Sequence, residues 1–96
     1  MNAKIHDYGA GTWAFQCPGC RYEHAFRVSG DISRPQWKWN GSQEKPTFTP
    51  SLMVFGSDPS KRCHSFVTNG KIQFLADCFH SLAGQTVELP DWNEKA

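Results

Sequence analysis

Cys17-Pro18-Gly19-Cys20 is the strongest chemical signal in this sequence. Its Pro-Gly pair allows a turn tight enough for two sulfurs and nearby amides to face one cation. Such a pair supplies half of a tetrahedral zinc site. Candidates for the other half are Cys63, His64, Cys78 and His80, while His6 and His24 have no partner by spacing and read as structural. Hairpin geometry chooses among them. Asn69-Gly70 is a two-residue type I′ turn signal, so Thr68 faces Lys71 and Cys63 faces Ala76. Cross-strand partners share a face, which puts Cys63, Ser65, Val67, Ile72, Phe74 and Ala76 on one side, with Cys78 joining them if the alternation continues. His64, Phe66 and Leu75 point the other way. The tetrad predicted on this geometry is Cys17, Cys20, Cys63 and Cys78. If the chain turns at Asp77, Cys78 and His80 exchange directions and a Cys₃His site results, with His80 or His64 as the alternative ligand.

Competing chemistries leave weaker signatures. Four cysteines in a short chain also fit two disulfides, but the sequence shows no secretory signal, and reduced thiols favour metal. A thioredoxin-type Cys-x-x-Cys opens a helix, whereas the residues after Cys20 read as a strand. A catalytic zinc keeps a water position, and His64, Asp77 and His80 could serve such a site in a small zinc-dependent hydrolase. The His-x-Glu of nucleobase deaminases and the His-Glu-x-x-His of metalloproteases are both missing. Thr47, Thr49 and Ser51 carry hydroxyls that could act as nucleophiles or phosphosites, but in a proline-bounded strand they read as solvent-side or turn-bonding residues. Arg34, Trp37, Lys38 and Trp39 interleave rings and cations as single-stranded nucleic-acid binders do. The formal net charge of +1 favours instead a strand whose tryptophans cover the core.

The elements that must position these residues are short. The 96 residues imply one domain over 1–96, which buries only ~60–65% of its unfolded surface and gains from a metal staple. Eight glycines and six prolines cut the chain into pieces, and period-two alternation dominates. Thr12–Gln16 and Tyr22–Val28 read as strands around the Cys-x-x-Cys turn. Trp37 and Trp39 share a strand face, and Pro46–Ser51 is held extended by its prolines. Leu52–Phe55 is a buried strand, Cys63–Thr68 and Lys71–Ala76 form the hairpin, and Asp77–Leu82 is one short helical turn. Thr86–Leu89 is the last strand. The fold class expected is mainly β, a small zinc-ribbon-like sheet domain. No apolar run reaches signal-peptide or membrane-span length, so the expected location is the cytoplasm, the host's if the protein is phage-encoded.

Several blocks together resemble a known family. They are Cys17-Pro18-Gly19-Cys20, Trp39-Asn40-Gly41-Ser42, Pro46-Thr47-Phe48-Thr49-Pro50-Ser51-Leu52, Cys63-His64-Ser65-Phe66-Val67, Asp77-Cys78-Phe79-His80-Ser81-Leu82-Ala83-Gly84 and Leu89-Pro90-Asp91-Trp92. Their order is similar to that in an uncharacterised family of small phage and prophage proteins often labelled "ammonia monooxygenase". An integral-membrane copper enzyme does not fit in 96 such residues. Related domains sit in bacterial gene clusters with ubiquitin-like conjugation components, which implies a zinc-binding accessory role. The resemblance also implies a Cys paired with a nearby His in the second half-site, which keeps His64 as a ligand.

These readings give a non-enzymatic module with a structural zinc ion, binding a host or phage protein through the exposed part of the tryptophan and Pro-Thr-Phe-Thr-Pro segments. The zinc hydrolase through His64, Asp77 and His80 is the alternative, and single-stranded nucleic-acid binding through Trp37 and Trp39 the third. No membrane partner is expected.

Overall fold

The computed structural model describes residues 3–29 and 36–92. Arg34, one of the nucleic-acid contacts considered above, lies outside the described residues. The described residues form two antiparallel sheets. β1 (Ile5–Gly9), β2 (Thr12–Gln16) and β3 (Glu23–Arg27) make the first, in that order. β4 (Lys38–Trp39), β5 (Phe48–Val54), β6 (Cys63–Thr68), β7 (Lys71–Phe74) and β8 (Thr86–Glu88) make the second, also in chain order. Among the described residues there is no helix. The expected helical turn at Asp77–Leu82 is instead a pair of tight turns, closed by Cys78 N–H to Leu75 C=O at 3.2 Å and Ala83 N–H to His80 C=O at 3.2 Å. β1 is the one strand the sequence pattern does not announce, because only Ile5 of its residues is buried.

The two sheets share one buried apolar cluster. Ile5, Phe15 and Phe26 come from the first sheet; Phe48, Leu52, Val67, Ile72 and Phe74 come from the second. Phe26 and Phe48 meet across the gap at 4.1 Å between ring centroids, and Trp13 and Trp39 meet at 4.7 Å. The burial of β6 alternates strictly from Cys63 to Thr68, as a half-buried strand requires. The hairpin register Thr68↔Lys71, Val67↔Ile72 and Ser65↔Phe74 is set by Asn69 at φ 52° and Gly70 at φ 81°. Both lie in the left-handed region a type I′ turn needs.

β5 is irregular. Between its pairs Phe48↔Val67 and Leu52↔Ser65 it has three residues where β6 has one, so Thr49-Pro50-Ser51 bulges from the ladder. Pro50 has no N–H to give that ladder. The bulge is tied down on its far side by the Trp37 indole N–H, which donates to the Ser51 carbonyl at 3.2 Å. No described helix is long and apolar enough to cross a membrane.

The Phe26–Phe48 contact joins the sheets, so Phe48→Ala is expected to cost ~3–5 kcal/mol of stability. Urea titration checks this. A loss below ~1 kcal/mol would mean the sheets do not depend on that ring.

Candidate active site and metal centre

Two centres lie back to back where β5, β6 and the turns after β7 meet. The first is the cysteine cluster. The Cys17–Cys20 turn is closed by Arg21 N–H to Cys17 C=O at 2.9 Å, and Cys17 N–H returns to Tyr22 C=O at 3.0 Å. Arg21 takes φ 69°, which curls the chain around the sulfurs. The Cys20 N–H donates to Cys17 Sγ at 3.3 Å. Cys63 arrives from the inner face of β6, its Sγ 4.0 Å from that of Cys17.

Candidate ligand atoms of Cys17, Cys20, His24 and Cys63 all lie within 4.8 Å of one another, and those of Cys63, Cys78 and His80 form a second such group. His80 Nε2 is 3.6 Å from Cys63 Sγ, and its ring packs over the turn so closely that a Cβ on Gly19 would collide with it. Ligands 2.3 Å from a tetrahedral ion sit about 3.8 Å apart, close to the Cys17–Cys63 and Cys63–His80 separations.

The charge state of the sulfurs fits a cation. A hydrogen bond from Cys63 holds the Cys17 thiol down at about 4, against burial and with help from His24. Burial, then the Cys17 charge, pushes Cys20 up to about 11. Cys63 is pushed far up, first by its bond to Cys17 and then by burial. Three crowded sulfurs oppose one another's ionisation, and a metal would let them carry negative charge together. His24 is 3% exposed and its Nε2 has no hydrogen-bond partner, a buried polar atom left unmatched beside a candidate ion site.

The second centre is on the outer face of the same strand. His64 points away from the core, as the alternation dictates. Its Nε2 lies 2.9 Å from Ser51 Oγ, on the bulge of β5. Its Nδ1 lies 3.3 Å from Asp77 Oδ2, on the turn after β7. A carboxylate only accepts, so Nδ1 donates to Asp77, and in the neutral imidazole that leaves Nε2 to accept from the Ser51 hydroxyl. Serine, histidine and aspartate thus stand in hydrogen-bonded line, the arrangement that makes a serine hydroxyl a nucleophile. The His64 and Asp77 side chains are 23% and 40% exposed, so a substrate can reach them.

The structure brings His64 and Asp77 together, but places His80 on the opposite side against Cys63, with Ser51 as their third member. Cys78 Sγ approaches Cys63 and His80 and also makes two contacts with the His64 main chain. Trp37 and Trp39 spend their indole N–H groups on the Ser51 and Ser42 carbonyls and pack against the core. Sequence reasoning weighed Ser51 as a nucleophile but read it as a solvent-side or turn-bonding residue. Met53 pairs with His64, so Ser51 is its diagonal neighbour across two strands, but that register depends on the bulge, which no local pattern announces.

A family model described as "Bacterial ubiquitination-like system serine protease (BubE)" matches residues 2–75. No curated protein and no solved structure matches.

Gly19 has space for no side chain under the His80 ring. Gly19→Ala is expected to push the imidazole off Cys63 and lower the melting temperature by about 4–8 °C for each kcal/mol lost. An unchanged melting temperature would contradict the packing of His80 over the turn.

Proposed function

The chain belongs to the BubE family, and from that premise we propose that it is a serine hydrolase that cleaves peptide or isopeptide bonds, with a structural zinc ion behind its active site. One observation carries the reading: the Ser51–His64–Asp77 line, with both hydrogen bonds formed. Ser51 Oγ attacks the substrate carbonyl as its proton passes to His64 Nε2. Asp77 stabilises the imidazolium through Nδ1–H. The tetrahedral intermediate collapses, the C–N bond breaks, and the leaving amine takes the proton from Nε2. Water then repeats the sequence on the acyl-serine ester and restores the hydroxyl. Met53, 46% exposed, and Phe66, 39% exposed, flank His64 on the same face and offer apolar contact to a polypeptide laid across it. The family description supports a substrate that is a polypeptide of a ubiquitin-like system.

Cys17, Cys20 and Cys63 would hold the zinc ion, with the imidazole of His24 or His80 as fourth ligand. Once bound, the ion would hold these residues as thiolates and link the Cys17–Cys20 turn to β6. Supporting this are the tetrahedral spacing, the crowding of the sulfurs and the buried, unmatched His24 nitrogen.

A fluorophosphonate probe tests the nucleophile. It is expected to label the protein once, at Ser51. Ser51→Ala should abolish labelling, and Asp77→Asn should slow it by roughly 10²–10⁴-fold. Labelling elsewhere, or none in the zinc-loaded protein, would contradict the reading. Metal analysis tests the second centre. About one zinc ion per chain is expected, lost in Cys17→Ser and Cys63→Ser, and lost in one of His24→Ala and His80→Ala but not both. Less than about half an equivalent in the native protein would overturn it.

A further inference from the structure

His64 sits where β7 leaves its ladder. A hydrogen-bonded antiparallel pair exchanges two main-chain bonds. Leu75 provides one, its N–H donating to the His64 carbonyl at 2.9 Å. The return bond is missing, because the Leu75 carbonyl turns to accept the Cys78 N–H. The turn that delivers Asp77 therefore deprives the base of a main-chain acceptor. A backbone N–H left unmatched in a half-buried strand is destabilising, and it would loosen the residue the reaction depends on.

The Cys78 sulfur fills that place. It accepts the His64 N–H at 3.2 Å and lies 3.1 Å from the His64 carbonyl oxygen. The four-residue group around the Cys17–Cys20 turn does not include this sulfur. We propose that Cys78 is a positioning residue: its sulfur closes the broken ladder around His64 rather than joining that group, and so sets the imidazole between Ser51 and Asp77. The inference rests on the acyl-transfer reading for its consequence, but not for its geometry. It also gives a reason for Cys78 to follow Asp77 directly, since one turn then fixes both the acid and the strand carrying the base.

The test compares Cys78→Ala and Cys78→Ser with the native protein in zinc content, fluorophosphonate labelling and hydrogen exchange at the His64 amide. Cys78→Ala is expected to keep its zinc and label Ser51 on the order of tenfold more slowly at saturating probe, with little change in the probe concentration for half-saturation. The His64 amide should exchange at least tenfold faster, and the Val67 amide should not change. Cys78→Ser retains a donor and an acceptor and is expected to recover labelling to within about threefold of native. Loss of zinc in Cys78→Ala would make Cys78 a ligand and overturn the proposal. So would native labelling and native His64 exchange in that variant, or failure of the serine to restore either. If the native protein is not labelled at all, the acyl-transfer reading falls, and exchange at His64 still decides whether Cys78 holds the strand.

Discussion

Alternation along β6 is the constraint on which the rest depends. Successive residues of a strand point to opposite faces, so Cys63 must enter the core if His64 is to leave it. The pairing Val67↔Ile72 and the buried Ser65 lock that phase. A one-residue slip would put an imidazole in the sulfur cluster and a thiol at the surface. The turn after β7 repeats the device in irregular backbone, with Asp77 facing His64 and His80 facing Cys63. Two short segments thus contribute to both centres, one on each side of the sheet.

This economy suits a small chain. Eight short strands among the described residues leave few residues with which to hold a serine, a histidine and an aspartate in register. Three different segments carry them, and only the β5–β6 ladder joins two of the three by regular pairing. Asp77 lies beyond the ladder, tied by the turn, by Phe79 N–H to Arg62 C=O at 2.9 Å, and by the contact of His80 with the cysteines. With His80 among its ligands, a metal ion in the cysteine cluster would fix this last segment more firmly than any single hydrogen bond there, since structural zinc contributes directly to folding free energy.

Much of this was legible in the sequence, for a physical reason. Asn69-Gly70 admits essentially one turn, and it set the register and both faces of the hairpin, so Cys63 inward and His64 outward followed from residue types alone. The proline-bounded segment around Ser51 was not legible. Its extended conformation could be read, but the residues that bulge from the ladder depend on what β6 and Trp37 require of them. Nor could the sequence say which way Cys78 and His80 turn, because the two exchange directions with one peptide rotation at Asp77. β1 escaped notice since its exposed residues carry no apolar alternation.

The central claim is that the metal centre holds the serine centre in working order. It is tested by following fluorophosphonate labelling of Ser51 while zinc is withdrawn with a chelator and then restored. Labelling is expected to fall in step with the zinc removed and to return when zinc is added back. Full labelling of the zinc-free, still folded protein would contradict the account, because it would show that the triad assembles without the metal behind it.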